Sequence, residues 1–328
     1  MLKIGVLGVG HLGKIHLKCI KLADQEYELV GFFDPDDNNA KTAIDQHQVK
    51  RFDTIEALLE AVDVVDIVAP TTLHHKLASQ VIKASKHVFI EKPITQTPQE
   101  AEDLMALSDE YGVKVQVGHV ERFNPALLAL EDMIVNPMFV EAHRLSIFNP
   151  RGTDVSVVLD LMIHDLDILL SMVRSKPVNV HASGVSIVST TPDIANARIE
   201  FENGCVANLT ASRISLKQMR KVRLFQPDAY ISLDFLDKKA QVVRLFDKGG
   251  EHVPDGDLME LPTAKGDKLI HISMPGIQPV NAIKMELETF AESIRTNSLP
   301  RVSIQDGYNA LKLAHDIDRQ ISQKEKNN

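Results

Sequence analysis

A short glycine-rich run, one aspartate, one lysine and an aspartate–histidine pair carry the chemistry that this sequence can perform. Gly8-Val9-Gly10-His11-Leu12-Gly13 follows the β-branched run Lys3–Leu7 and opens a helically spaced segment. That strand–turn–helix setting is the one in which G-x-G-x-x-G cradles a pyrophosphate. Gly8 permits the tight turn, Gly10 lets phosphate approach the backbone, and Gly13 allows close helix–strand packing. Unpaired N–H groups at the helix start add a positive end for the phosphates. Asp34 closes the second strand-like run, 21 residues beyond Gly13. A carboxylate there accepts hydrogen bonds from both ribose hydroxyls and repels a 2′-phosphate, so NAD is expected in preference to NADP.

Two further groups could act on a substrate. Glu91-Lys92-Pro93 ends the fourth strand-like run, at the carboxyl edge where open α/β sheets bind ligands. Pro93 removes a backbone donor and steers Lys92 away from helical geometry, which holds the lysine at the strand end. Asp160 and His164 stand four residues apart in an apolar segment, with Asp167 on the same helical face. Ionisable side chains on such a helix need a cleft or a partner. Asp165 reads as a cap or salt-bridge residue.

These groups must be positioned by secondary structure, and its pattern is regular over the first 120 or so residues. Strand-like runs at Lys3–Leu7, Leu29–Phe33, Val64–Val68, His87–Ile90 and Val113–Val117 alternate with helical spacing at Leu12–Leu22, Ala40–His47, Ile55–Glu60, Leu73–Ser85 and Pro98–Tyr111. Strands apolar on both faces, separated by helices, predict a doubly wound parallel sheet of Rossmann type. After Gly118 the pattern changes. A helix is predicted from Pro125 to about Val135 with Asn124 as N-cap, then a strand at Phe139–Ile147 and an apolar helix at about Leu159–Arg174. Alternating runs at Ala195–Phe201, Val206–Ala211, Lys221–Gln226 and Tyr230–Phe235, with turn signals such as Glu202-Asn203-Gly204, predict a large, mostly antiparallel open sheet. Gly249–Gly276 reads as a long polar loop, Val280–Thr296 and Ser303–Gln323 as terminal helices, and Lys324–Asn328 as a frayed tail. The fold class expected is α/β: a Rossmann domain over residues 1–122, then an α+β domain over 123–328 for substrate and assembly.

Composition excludes several classes. At 328 residues, 44% hydrophobic and 25% charged, the chain is neither disordered nor fibrous and is long enough for two cores. A formal net charge of −9 argues against nucleic acid or anionic membrane as partner. It is compatible with a phosphate-bearing ligand held by backbone amides. Cys19 and Cys205 cannot build a disulfide framework, and no stretch suits a signal peptide or a membrane span, so a cytoplasmic location is expected. No His/Cys cluster has metal-ligand spacing, and none is needed for hydride transfer.

Taken together the motifs resemble the glucose–fructose oxidoreductase/inositol dehydrogenase (Gfo/Idh/MocA) family. The resemblance covers essentially the whole chain. It runs through the opening glycine motif, Ala69-Pro70-Thr71-Thr72-Leu73-His74, Lys86 to Pro93, Arg122-Phe123-Asn124-Pro125, and Asp160 to Asp165. It implies a nicotinamide-dependent oxidoreductase acting on a sugar, sugar derivative or cyclitol. Pro70, Thr71, His74, Glu91 and His119 would border the cofactor. Lys92 and His164 would be the catalytic pair, and Asp160 would hold a substrate hydroxyl or orient the histidine. A histidine suits a base because its ordinary pKa lies near neutrality. A cationic Lys92 would stabilise the developing alkoxide, or lose a proton itself if desolvated. Which of the two accepts the proton stays open at this stage.

Val117–Pro125, Met162–Asp167, Ala211–Ser215 and Lys221–Gln226 are most similar to nucleotide-sugar members, which oxidise the 3-hydroxyl of UDP-N-acetylglucosamine or its uronate. Arg122, Asn124, Asp160 and Arg213 would then contact substrate, Arg213 and Lys217 meeting a diphosphate with help from Arg122. Alternative readings are an NAD-dependent glycosidase of the same family, an inositol or aldose dehydrogenase, and a non-catalytic dinucleotide-binding regulator. An open sheet with an apolar face is costly in water, so a homodimer or homotetramer through the C-terminal sheet is expected.

Overall fold

In the computed structural model, residues 1–149, 155–250, 253–254, 256–264 and 266–325 are described. The chain opens with β1 (Leu2–Leu7), α1 (His11–Leu22), β2 (Tyr27–Phe33), α2 (Asp37–His47), α3 (Ile55–Ala61), β3 (Val64–Ile67), α4 (Thr71–Lys83), β4 (His87–Glu91), α5 (Pro98–Tyr111) and β5 (Val115–Gly118). The strands form one parallel sheet in the order β2-β1-β3-β4-β5. Because β2 and β3 lie on opposite sides of β1, a crevice opens at the carboxyl ends of β1 and β3.

Local sequence explains the elements. Val64–Ile67 is buried at every position, as a strand covered by helices on both faces must be. Helix α5 starts with a complete capping box, Thr97 with Glu100, has Pro98 in its first turn, and stops at Gly112 with φ +63°. Beneath the sheet, Ile4, Val6, Leu17, Ile20, Phe32 and Phe89 share a core with Leu287, Phe290 and Ala291.

The remaining elements are α6 (Pro125–Leu128), β6 (Phe139–Leu145), a π-helical turn at Val158–Met162, α7 (Ile163–Val173), β7 (Pro177–Val185), β8 (Ile194–Phe201), β9 (Val206–Ser212), β10 (Met219–Gln226), β11 (Ala229–Asp234), β12 (Lys239–Asp247), β13 (Leu258–Leu261), β14 (Lys268–Ser273), α8 (Ala282–Arg295) and α9 (Ile304–Glu325). A nine-stranded sheet runs β13-β14-β12-β11-β10-β6-β9-β8-β7, antiparallel throughout except for β6 against β9. The expected Rossmann sheet and mostly antiparallel second sheet are both present.

Two compact units divide the chain: residues 1–123 with 281–312, and residues 124–280 with 313–328. The first expected boundary lies within a residue of this division. The expected assignment of all of 123–328 to one domain does not match it, because α8 and the first part of α9 return to the nucleotide unit. Phe290 closes its core in T-shaped contact with Phe89, 6.3 Å between centroids.

Four other expectations change. The helix expected to about Val135 ends as α6 at Leu128, because the next turns bond i→i+3, Leu130 N to Leu127 O and Glu131 N to Leu128 O. The apolar helix begins as a π turn, which loosens the i, i+4 alignment of Asp160 with His164. The loop expected at 249–276 contains β13 and β14, a hairpin that extends the sheet edge; residues 251, 252, 255 and 265 lie outside the described residues. In the expected tail, Lys324 and Glu325 continue α9, and residues 326–328 lie outside the described set.

One face of the large sheet carries an apolar row across five strands. Phe139, Phe225, Tyr230, Val243 and Ile272 are consecutive cross-strand partners, with Phe225 38% and Ile272 45% exposed. Behind the sheet, Arg144 on β6 grips Asp165 on α7 through Nε (3.0 Å) and Nη2 (2.8 Å), both residues being almost wholly buried. A bidentate pair of this kind is costly to break, because the remaining charge stays in low dielectric. Arg144→Ala should therefore destabilise the protein by about 3–5 kcal/mol, measured as a lowered midpoint in urea denaturation.

Candidate active site

The carboxyl ends of β1, β2, β3 and β4 surround a cavity of about 860 Å³ in the first unit. Gly8, Gly10, His11 and Leu12 line one wall, Asp34 and Pro35 the far end, Pro70, Thr71 and His74 another wall, and Glu91 with Lys92 the remaining side. Ten of the expected cofactor residues, including Lys92, are thus brought to one concavity. Gly13 lies behind the wall. His119 and Arg122 are not among the lining residues. His119 is buried just after β5, and Arg122 lies 3.8 Å from Asp306.

The glycine turn fits a pyrophosphate. Gly8 has φ +93°, and a Cβ there would approach the Val68 carbonyl oxygen to 2.8 Å. A Cβ on Gly13 would overlap the Gly8 carbonyl oxygen, whereas one on Gly10 would meet nothing. Strand and helix are therefore locked together at Gly8 and Gly13, while Gly10 leaves the cavity side open to a ligand. Two helix N-termini, those of α1 and α4, have lining residues in their first turns.

Asp34 is 6% exposed and already placed. Its Oδ2 accepts the Val9 N–H at 2.7 Å and its Oδ1 accepts the Asp36 N–H at 2.8 Å. Arg51 donates to the Asp34 carbonyl at 2.9 Å and pairs with Asp37. The carboxylate faces the cavity with further acceptor capacity, as two ribose hydroxyls require. At the rim Gln80 donates to Glu56 at 2.7 Å, a contact that no sequence motif signals.

The backbone at Lys92 is fixed on both sides, by His74 at Pro93 and by the Glu91 carboxylate at the Lys92 N–H. His74, 1% exposed, lies with Nδ1 2.9 Å from the Pro93 carbonyl and Nε2 2.8 Å from the Ala69 carbonyl, tying the β3–α4 turn to the peptide after Lys92. Glu91 Oε2 accepts the Lys92 N–H at 3.1 Å. Its other oxygen, Oε1, is 3.0 Å from Nε2 of His16, whose Nδ1 is 2.8 Å from Asp66 Oδ2. Burial disfavours a charged His16, but Asp66 and Glu91 outweigh it and raise its pKa well above the ordinary value. Burial would raise the Glu91 pKa, yet contact with His16 and Lys92 brings it below the usual carboxylate range. Glu286 on α8 is fully buried, and burial together with Glu91 and Asp66 raises its pKa well above normal. His16, Asp66 and Glu286 were missed in the sequence. Only His16, three residues after Gly13 on the first helix, was within reach of a motif argument.

In the second unit, Asp160 lies in the π turn and His164 in the first turn of α7, both half-buried. Asp167 is 1% exposed. Asp165 is the salt-bridge residue anticipated, with Arg144 as partner. Two expected substrate residues sit in the scaffold. Asn124 caps α6 through Oδ1 and donates Nδ2 to the Phe235 carbonyl at 3.0 Å. Arg213 is 4% exposed, lies 4.0 Å from Asp193 and donates to the Val155 carbonyl at 2.6 Å. The strand pattern could show a cation at the end of β9, but not that the chain folds over it.

Removing the Asp34 carboxylate tests the ribose end of the cavity. Asp34→Ala should raise the Kd for NADH by about 10- to 100-fold and narrow its margin over NADPH, measured by fluorescence titration with both nucleotides.

Comparison with known proteins agrees with this geometry. Residues 2–119 match the model of the oxidoreductase family with an NAD-binding Rossmann fold, and residues 139–227 match the Gfo/Idh/MocA C-terminal domain. The chain is 37% identical over 254 residues, 77% of its length and 79% of the relative's, to UDP-N-acetylglucosamine 3-dehydrogenase of Acidithiobacillus ferrooxidans. A solved structure of that dehydrogenase superposes with a TM-score of 0.87 over 98% of both chains, at 31% identity. The WlbA dehydrogenase of Bordetella pertussis, solved with NADH and UDP-GlcNAcA, shares the fold at TM-score 0.80 and 15% identity over 98% of this chain and 96% of that one. Two family matches and a relative of 37% identity over 77% of this chain agree: the chain belongs to the Gfo/Idh/MocA family of oxidoreductases with an NAD-binding Rossmann fold.

Proposed function

We propose that this protein oxidises the 3-hydroxyl of a UDP-N-acetylhexosamine. The observation that carries the reading is the cavity itself: the glycine cradle, Asp34 and Lys92 line one space, so a dinucleotide held by the first two ends beside the third. The nucleotide-sugar class is supported by the 37% identity to UDP-N-acetylglucosamine 3-dehydrogenase.

NAD, when bound, supplies the nicotinamide that accepts hydride from the carbinol carbon. Lys92, fixed between Glu91 and Pro93 at the end of β4, places an ammonium where the substrate oxygen becomes an alkoxide. His164 shares the proton chemistry: an imidazole has the pKa needed to take the hydroxyl proton at neutral pH. Asp160 orients the histidine or holds a neighbouring hydroxyl. His74 and the α4 N-terminus steady the nicotinamide side of the cradle, and His119 supports it from the end of β5. Arg122 is the cation we assign to the substrate diphosphate. Buried Arg213 and capping Asn124 serve the scaffold of the second unit.

The assembly we propose is a homo-oligomer in which the row from Phe139 to Ile272 is covered by a second copy. The row's partial exposure supports this, since large apolar side chains grouped on a sheet face gain by burial. A cytoplasmic location fits two buried, unbridged cysteines, Cys19 and Cys205. Among the described residues no helix is long and apolar enough to cross a membrane.

Incubation with UDP-N-acetylhexosamines, inositols and free aldoses plus NAD, followed by absorbance of reduced nicotinamide, should show turnover with the UDP sugars. Turnover of inositol alone would overturn the nucleotide-sugar assignment. Lys92→Ala and His164→Ala should each lose about 10²- to 10⁴-fold in kcat while binding NADH within a few-fold of wild type. For the assembly, Phe225→Asp should lower the sedimentation coefficient toward that of a monomer.

A further inference from the structure

Behind the cavity wall, His16, Asp66 and Glu286 are three buried ionisable side chains that the reaction as described does not use, and they gather around Glu91. His16 on α1 is fully buried and stands between two carboxylates, Asp66 on β3 at 2.8 Å and Glu91 on β4 at 3.0 Å. The edge of Phe89 packs on the imidazole, 5.8 Å between ring centroids. Glu91 reaches from this group into the cavity lining, and its carboxylate lies over Gly118, where a Cβ would come within 2.9 Å of Oε1. The absence of a side chain at Gly118 is therefore what lets Glu91 turn back toward Lys92 and accept its N–H.

We propose that His16 is a positioning residue for Lys92: as a cation clamped between Asp66 and Glu91, it fixes the Glu91 carboxylate, and through it the backbone and charge environment of Lys92. The inference rests on the reading of Lys92 as a group of the reaction. Its physical basis is charge balance. A neutral imidazole carries one N–H and would turn a lone pair toward one of the two carboxylates; the imidazolium donates Nδ1–H to Asp66 and sets its positive Nε2–H edge 3.0 Å from Glu91 Oε1. Without that cation, Asp66 and Glu91 would be two like charges in low dielectric, and one would take up a proton.

The charged and titratable groups around His16 come from every neighbouring element: Asp66 on β3, Glu91 and Lys92 at the end of β4, Glu286 on α8, Tyr27 on β2 and Cys19 on α1 itself. Glu286 has both carboxyl oxygens buried without a hydrogen-bond partner among the described residues, which suits a protonated carboxyl beside two ionised ones. The sign of the effect follows. An ionised Glu91 next to Lys92 favours the ammonium form of the lysine. If His16 is removed and Glu91 becomes neutral, Lys92 loses its proton at lower pH.

Two measurements test this. In wild-type protein labelled with ¹⁵N-histidine, the His16 ring should carry hydrogen on both nitrogens from pH 6 to 9; a neutral ring at pH 7 overturns the proposal whatever the substrate proves to be. His16→Gln keeps a donor but no charge. It should lower kcat at least tenfold, leave the Kd for NADH within about threefold, and move the Lys92 limb of the kcat–pH profile to lower pH. Glu286→Gln, which replaces a neutral carboxyl by its amide, should keep the wild-type profile. An unshifted His16→Gln profile, or an equal shift in Glu286→Gln, assigns His16 a packing role and overturns the proposal. If His16→Gln does not fold, the ring measurement decides alone. Absence of turnover in wild type with a doubly protonated His16 would count against the substrate reading and leave the clamp standing.

Discussion

Between Gly8 and Gly13 there is no room for one added carbon atom, and the nucleotide unit is arranged around that contact. A side chain at Gly13 would overlap the Gly8 carbonyl, and one at Gly8 would press on Val68 while forcing a left-handed residue into strain. The close approach of α1 to the strand end aims the helix N-terminus across the cavity. It also brings His16, on the same helix, down between β3 and β4. Phosphate binding and the support of Lys92 thus share one geometric origin.

Charge follows the same logic. A protein of net charge −9 can hold an anionic dinucleotide because the donors are backbone amides, whose dipoles no composition count includes. Asp34 adds a negative charge to the cavity lining and is held there by the Val9 and Asp36 N–H groups. Behind the cavity the problem is reversed, with Asp66, Glu91 and Glu286 all buried. Each isolated buried carboxylate would be costly; His16 stands between Asp66 and Glu91, and burial beside those two carboxylates pushes the Glu286 pKa up. Contact with His16 and Lys92 keeps the pKa of Glu91 below the usual carboxylate range at the cavity edge, where it accepts the Lys92 N–H.

The sheet unit carries His164 on a largely apolar helix that also buries Asp165 and Asp167. The segment that leads into it, Val158–Met162, is a π turn, a break in the regular ladder of the kind that recurs at functional sites. The residue after His164, Asp165, is pinned by Arg144 from the sheet below. An ion pair in that position costs desolvation, and what it supplies in return is a fixed rotation of α7.

Much of this was legible in the sequence for a physical reason: local periodicity and turn chemistry act over a few residues. The alternation of buried runs and helices, the glycine cradle, Asp34, the Glu91–Pro93 turn and even the cap at Asn124 depend on near neighbours alone. What the sequence could not decide was which distant groups meet. α8 returns to the nucleotide unit because Phe290 and Leu287 fill its core, a long-range packing fact with no local sign. Arg213 carries the same charge in sequence whether it meets a phosphate or, as the fold has it, Asp193 and a carbonyl. His16, Asp66 and Glu286 lie 50 to 270 residues apart, and only the tertiary structure places them around Glu91. The sequence by itself determined the α/β class, the glycine cradle and the NAD cofactor, because these rest on local pattern; burial and approach in three dimensions decided which distant side chains meet and how they are held, because those contacts join residues far apart in the chain.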